Sequence, residues 1–337
     1  MMSASDEEKV EIDQKWRSHQ EIAETLQSQM KADMQLAKDD PSVETITFDL
    51  EKTLPLPRIP TNIVFYKRQL WVYNLGIHTG SNDDAHCNVW VEGEAGHILE
   101  RLDNNVTRLI LWSDSCGGQN RNIKLVLMLK AVLNDHPTLV QINMRFLESG
   151  HSFLPNDRDF GKIEGGFKRQ QRIYTPEDYM SIMKTCKKNK PMIVHRMNQN
   201  DFLSSLKLEK SITNRKKTTD GDKVSWLSTK EIELKKGEMY KIYMRSNFYE
   251  DFKELDIKKI GRVRQPAISK EIMEPLWPTG KPIPEAKLKD LKSLLHLIPQ
   301  EYHSFYVNLD ADKHIEDDLE GFSGELDFEL EENYFDN

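Results

Sequence analysis

The stretch from Arg108 to Leu147 constrains the fold most. It reads RLILWSD, a polar turn SCGGQN, an apolar helical run NIKLVLMLKAVLND that stops before Pro137, and then TLVQINMRFL. Two aliphatic strands joined through one helix form a βαβ unit. Upstream, SVETITFDL is short and β-branched and reads as a strand ending at Phe48, Asp49 and Leu50. NIVFYKRQLWVYNLGIHT and HCNVWVEG, separated by the polar GSNDDA, read as two or three antiparallel strands. HILERLDNN reads as a short helix. Strand, strands, helix, strand, helix, strand, helix is the element order of an α/β domain with a mixed sheet flanked by helices, and it occupies residues 42–175.

The flanking segments follow from period and composition. From Asp6 to about Lys38 there is no Pro or Gly, and Trp16, Ala23, Leu26, Met30 and Ala37 recur at helical spacing. Residues 1–41 are therefore expected to be a helix docked on the chain's own core or on a twin helix. Residues 176–310 are expected to form a small extension. It holds a helix at PEDYMSIMKTCKKN, a basic hairpin module at VSWLSTKEIELKKGEMYKIYM, and a final helix at AKLKDLKSLLHLIP. The tail 311–337 is too acidic to bury a core and is expected to be disordered.

With 38% hydrophobic and 30% charged residues the chain can bury a core, and no apolar run approaches the roughly 20 residues that cross a bilayer. No membrane partner is expected. The acidic start MMSASDEEKVEID lacks the pattern of a secretory leader, so an intracellular, reducing compartment is expected. Cys87, Cys116 and Cys186 contain no CxxC pair, which argues for free thiols.

The net charge of -8 conceals an asymmetry. Residues 310–337 carry twelve acids against Lys313 alone, and residues 1–44 carry eleven acids against five bases. From Gly161 to Arg264 there are 25 Lys or Arg against 14 Asp or Glu. A basic middle suits an anionic partner such as nucleic acid, with a Lys-rich solvated surface as the plainer alternative. Lys168, Arg169 and Arg172, and then Arg215, Lys216 and Lys217, are the candidate phosphate contacts. The cluster Lys187, Lys188 and Lys190, together with Arg215 to Lys217, could also serve nuclear localisation.

Three acids carry the candidate chemistry. Asp49 and Asp114 each end a predicted strand, and on neighbouring strands they would converge outside the carboxyl ends of the sheet. Singly, Asp114 could be only a turn residue or an N-cap. The third acid lies in SGHSFLPNDRDFGKIEGGFKR, where a helix is expected after Pro155. There Asp157 and Glu164 share a face at a seven-residue spacing, so either could serve, while Asp159 is expected to face solvent or the first-turn dipole. Asp157 could equally be a cap. His151, just before this helix, could be a metal ligand, a base or a satisfied loop histidine.

Three hard carboxylates suit a pair of Mg2+ or Mn2+ ions in in-line phosphodiester displacement. Asp49 would bridge both ions, and Asp114 and the helix acid would each hold one. Strand acid, strand acid, helix acid is the order of RNase H-like nucleases and transposases. No P-loop, GxGxxG, GxSxG, kinase signature or HExxH is present, and the glycines of SCGGQN are expected to shape a turn beside Asp114.

The segments PSVETITFDLEKTLPLP, FYKRQLWVYNLGIH, LWSDSCGGQNRNIKL, SGHSFLPNDRDFGKIE and LLHLIPQEYHSFYVNL resemble a family of uncharacterised, often multicopy proteins best known from insect genomes, which look transposon-derived. The resemblance runs from about residue 10 to about 310. It implies an RNase H-like, DDE-type integrase or transposase domain with Asp49, Asp114 and Asp157 at the matching positions and Glu164 as the rival third acid. DNA would be the partner, a nuclear location would follow, and a homo-oligomer is allowed. The contrasting reading is a catalytically silent binding or scaffold protein that keeps the fold.

Overall fold

In the computed structural model, residues 6–92, 102–116, 120–151, 153–212, 216–258, 267–278 and 280–315 are described. The expected disordered tail from residue 316 onward, most of the HILERLDNN helix, and Arg215 lie outside them.

The N-terminal helix α1 (Asp6–Asp39) precedes β1 (Val43–Leu50), β2 (Leu54–Leu56), β3 (Leu70–Thr79), β4 (Ala85–Val91) and β5 (Arg108–Ser113). Then come α2 (Ile123–Asp135), β6 (Gln141–Phe146), α3 (Pro155–Lys168), α4 (Pro176–Thr185), β7 (Ile193–Arg196), β8 (Leu203–Ser204) and α5 (Leu206–Glu209). The chain continues through β9 (Glu231–Lys235), β10 (Lys241–Arg245), β11 (Lys253–Asp256), α6 (Glu285–Ser293) and α7 (His303–Val307).

The main sheet runs β11-β10-β9-β6-β5-β1-β3-β4-β7, with β2 added alongside β3. It is mixed. β1, β5 and β6 are parallel, as a βαβ crossover requires, whereas β3 and β4 form the expected antiparallel hairpin beside β1. The strict alternation of strand residues sorts the core into two faces. On one face Ile46, Leu109, Leu111, Ile142 and Met144 pack against α2, which is apolar nearly all round. On the other, Val43, Ile110 and Trp112 meet Leu26 and Met30 of α1, and Leu70, Val72, Cys87 and Val89 meet Ile163, Phe167, Tyr179 and Met183 of α3 and α4.

Three sequence expectations need correction. Of the α1 stripe, Ala23, Leu26, Met30 and Ala37 are buried on the sheet, but Trp16 stays 56% exposed, because the helix reaches past the residues that cover it. NIVFY forms a 3-10 turn (Asn62–Tyr66), with only Val64 buried, instead of the start of a strand. The sheet and core also run across the boundary expected at residue 175. β9 pairs with β6, β7 pairs with β4, and Ile232, Leu234, Ile242, Met244 and Leu255 join the α2-side core. The physical reason is that β6 and β4 would otherwise present open edges, with unpaired backbone groups and half-covered apolar residues.

A close approach fixes α3 on the sheet. A Cβ built on Gly76 of β3 would stand 2.6 and 2.7 Å from ring carbons of Phe160. Gly76→Ala is therefore expected to push α3 outward and cost about 1–3 kcal/mol in urea unfolding. Gly161→Ala, in the same helix with nothing within 4 Å, should be neutral or slightly stabilising.

Candidate acid site

Thr45, Thr47 and Asp49 alternate onto the α1/α3 face of β1. The Thr45 hydroxyl donates to the Asp33 carbonyl of α1 at 2.8 Å, and the Thr47 hydroxyl donates to Asn156 Oδ1 of α3 at 2.6 Å. Asn156 also donates to the Gly76 carbonyl at 2.9 Å. The first turn of α3 is thus stitched to both β1 and β3, directly beside Asp157. In the parallel β1/β5 pair, Thr47 lies opposite Trp112, so the same register carried two residues on brings Asp49 level with Asp114.

The electrostatics report the convergence. Half-buried Asp49 has its carboxyl pushed up from the ordinary carboxylate range to about 7, first by burial and then by the charges of Asp114 and Asp157, with the Leu50 N–H opposing the shift. Three acids from two strands and a helix therefore share one neighbourhood. Each flanking acid is also held by a local bond. Asp114 Oδ1 accepts from Asn120 Nδ2 at 2.6 Å and from the Cys116 N–H at 3.3 Å. Asp157 Oδ2 accepts from the Leu154 N–H at 2.8 Å, the capping bond of α3. Turn and cap roles thus coexist with the juxtaposition instead of replacing it. Arg121, buried over the Phe146 ring at 4.9 Å, hydrogen-bonds Ser115 and the Leu227 carbonyl and places a cation near Asp114.

The rival third acid sits elsewhere. Glu164 pairs with Lys52, which holds its carboxyl below the ordinary range. Its influence falls on buried Glu51, whose carboxyl is raised to about 7 mainly by burial and in smaller part by Glu164. Glu51 accepts from Asn74 Nδ2 at 2.8 Å. The His151 ring lies against His19, with centroids 5.0 Å apart, and against Phe153.

Asp159 overturns its expectation. It is only 5% exposed and bonds His78 Nδ1 at 2.8 Å, while His78 Nε2 meets Asp83 at 3.0 Å. The inward face of α3 is set by Asn156, Ile163 and Phe167, and Asp159 falls on it. Lys168, Arg169 and Arg172 are exposed near the C-terminal end of α3, away from Asp157, and Lys216 and Lys217 are exposed.

Glu51, Asn120, Arg121 and Asn156 were not singled out from sequence. Glu51 had a signal, since it follows Asp49 by two residues and so lies on the same side of the extended chain. Among the described residues no three His, Cys, Asp or Glu side chains are arranged closely enough to hold a metal ion as they stand. No helix is long and apolar enough to cross a membrane, among the described residues. No protein-family model, no curated protein and no solved structure matches this chain, so the site rests on its own geometry.

Proposed function

We propose that this is a transposase- or integrase-derived protein with an RNase H-like domain, whose acid site takes Mg2+ or Mn2+ and acts on phosphodiester bonds of DNA. The observation that carries the reading is the Asp49 carboxyl, raised to about 7 first by burial and then by the charges of Asp114 and Asp157, so that it is largely protonated below that pH when no cation is bound. A buried carboxylate with other acids nearby is costly unless a cation or a proton compensates it. The order of the acids along β1, β5 and α3 of a mixed sheet supports the RNase H-like assignment, and the family resemblance supports DNA as substrate and a nuclear location.

The donor chemistry suits a hard divalent cation, although the three groups would have to close up to hold one, since no three stand near enough among the described residues. All three groups are carboxylates, and Asp114 and Asp157 each commit one oxygen to a local hydrogen bond and keep the other without one, among the described residues. Asp49, Asp114 and Asp157 would hold the metal, which when bound supplies charge stabilisation to the attacking and leaving oxygens of an in-line displacement. The chain's own work is positional. Asn120 fixes Asp114, the α3 cap fixes Asp157, and the Thr47–Asn156 bond fixes α3 against β1. Asp49 must release a proton before it can act as a ligand. Glu164 and His151 are left out of this set.

The second reading, a catalytically silent nucleic-acid-binding protein, is favoured by the lack of a preassembled three-residue metal cluster among the described residues. Labelled duplex and single-stranded DNA incubated with Mg2+, Mn2+ or EDTA separates the two. Metal-dependent cleavage or joining that disappears in folded Asp49→Ala and Asp114→Ala variants is the expected result. Binding without any metal-dependent reaction would select the silent reading.

A further inference from the structure

The 3-10 turn between β2 and β3 carries two of the most exposed aromatic side chains in the described molecule. Phe65 is 85% and Tyr66 80% exposed, and their rings stand edge to face at 5.4 Å and 87°. The turn that presents them is firmly seated. Val64 is buried beneath it, the Lys67 N–H closes it on the Val64 carbonyl, and Lys67 and Arg68 bind Asp290 of α6 at 3.2 and 2.9 Å. Two adjacent rings held out of the core by a fixed turn form a rigid apolar surface open to a partner.

Positive charge comes from the neighbouring segment, since Lys67 and Arg68 are paired with Asp290 whereas residues 168–172 read KRQQR and expose Lys168, Arg169 and Arg172. The backbones of the two segments are joined, since Arg58 and Ile173 exchange N–H to carbonyl bonds of 2.8 and 2.9 Å. Lys168, Arg169 and Arg172 are therefore tied to the segment that leads into the aromatic turn. Along β3, Leu70 lies six residues from Gly76, the partner of Asp49, which puts the turn's base about 20 Å from the acid site. A partner with flat π-faces and regularly spaced anions satisfies both features.

We propose that Phe65 and Tyr66 form a base-stacking platform for unpaired nucleotides of a nucleic-acid strand whose phosphates run past Arg58 and the Lys168–Arg172 segment. The proposal rests on the nucleic-acid reading above and names the form of substrate it takes. A duplex keeps its bases stacked on one another, so only a single strand or a frayed end can use the platform.

The test is fluorescence anisotropy of labelled oligothymidylate, and of a duplex of equal length, with the full chain at several salt concentrations. Both rings are exposed, so the Phe65→Ala/Tyr66→Ala variant should keep the wild-type melting temperature. It is expected to bind oligothymidylate about tenfold more weakly or worse, with an unchanged salt slope and duplex binding intact. Lys168→Ala/Arg169→Ala/Arg172→Ala should weaken both ligands and flatten the salt dependence. Unchanged oligothymidylate affinity in the aromatic variant would overturn the platform while leaving the nucleic-acid reading standing, and so would equal loss of both ligands. Binding of neither probe by the wild type would overturn both.

Discussion

Asp49→Asn is expected to abolish metal-dependent cleavage while making the protein more stable. The amide keeps the shape of the side chain but cannot serve as an anionic ligand, and loss of several kcal/mol of transition-state stabilisation corresponds to roughly a 10³-fold fall in rate or more. The gain in stability follows from the cost of a buried charge, to which the neighbouring acids add. The folded Asp49 carboxyl sits at about 7 against an ordinary 3.8. A carboxyl raised on folding contributes stability that is fully present below about pH 4 and is lost as pH climbs through 7. Above pH 7, without divalent cation, the wild type therefore carries the full cost of ionised Asp49 beside Asp114 and Asp157, and the Asn variant does not. Urea unfolding in EDTA should show the variant ahead by about 1–3 kcal/mol at pH 8, with the difference shrinking toward pH 4. The sign of the metal effect follows too: Mn2+ should bind more tightly as pH rises through 7, releasing a proton. A variant that lost activity and stability together would mean that Asp49 is a structural residue.

The second large effect lies away from the acids. Arg145 is buried between Asp33 of α1, which it pairs with directly, and Glu231 of β9 at 2.8 Å, and Arg245 of β10 binds the same glutamate. Asp33 also accepts from Trp112 Nε1 at 2.8 Å. The Arg145 guanidinium lies 5.7 Å from the Trp112 ring centre and 5.6 Å from that of Phe248. Arg145→Ala strips a cation from two carboxylates that are 4% and 1% exposed, and breaking such a pair costs about 3–5 kcal/mol. Against a usual total of about 5–15 kcal/mol, that is enough to leave the chain marginal. The result should appear as a lowered urea midpoint and rapid proteolysis of α1, whereas exposed Lys124→Ala should change stability by less than about 0.5 kcal/mol.

The parts of this fold that could be read from sequence are those with a short-range period. β1, the β3/β4 hairpin and the β5–α2–β6 unit declare themselves by alternation or by a helical apolar run, and Asp49 and Asp114 were visible because each closes such a strand. The remainder depends on distant partners. Asp157 and Glu164 share a helix face, and only the Lys52 contact and nearby Glu51 separate their roles. Asp159 escapes a sequence reading because Asn156, Ile163 and Phe167 define the inward face of α3 and its partner His78 lies 81 residues away. Asp33 stood unremarked on the helix stripe because its cation comes from β6. β9 reads locally as part of a separate hairpin, and only the open edge of β6 makes it a member of the central sheet.

The most direct measurement is Mn2+ binding, by titration calorimetry at pH 8, to the wild type and to Asp49→Asn, Asp114→Asn, Asp157→Asn and Glu164→Gln. Convergence of three acids on one cation site predicts at least a tenfold loss of affinity for each of the three Asp variants and wild-type affinity for Glu164→Gln. Wild-type affinity in Asp114→Asn or Asp157→Asn, or a loss in Glu164→Gln as large as in Asp49→Asn, would contradict it.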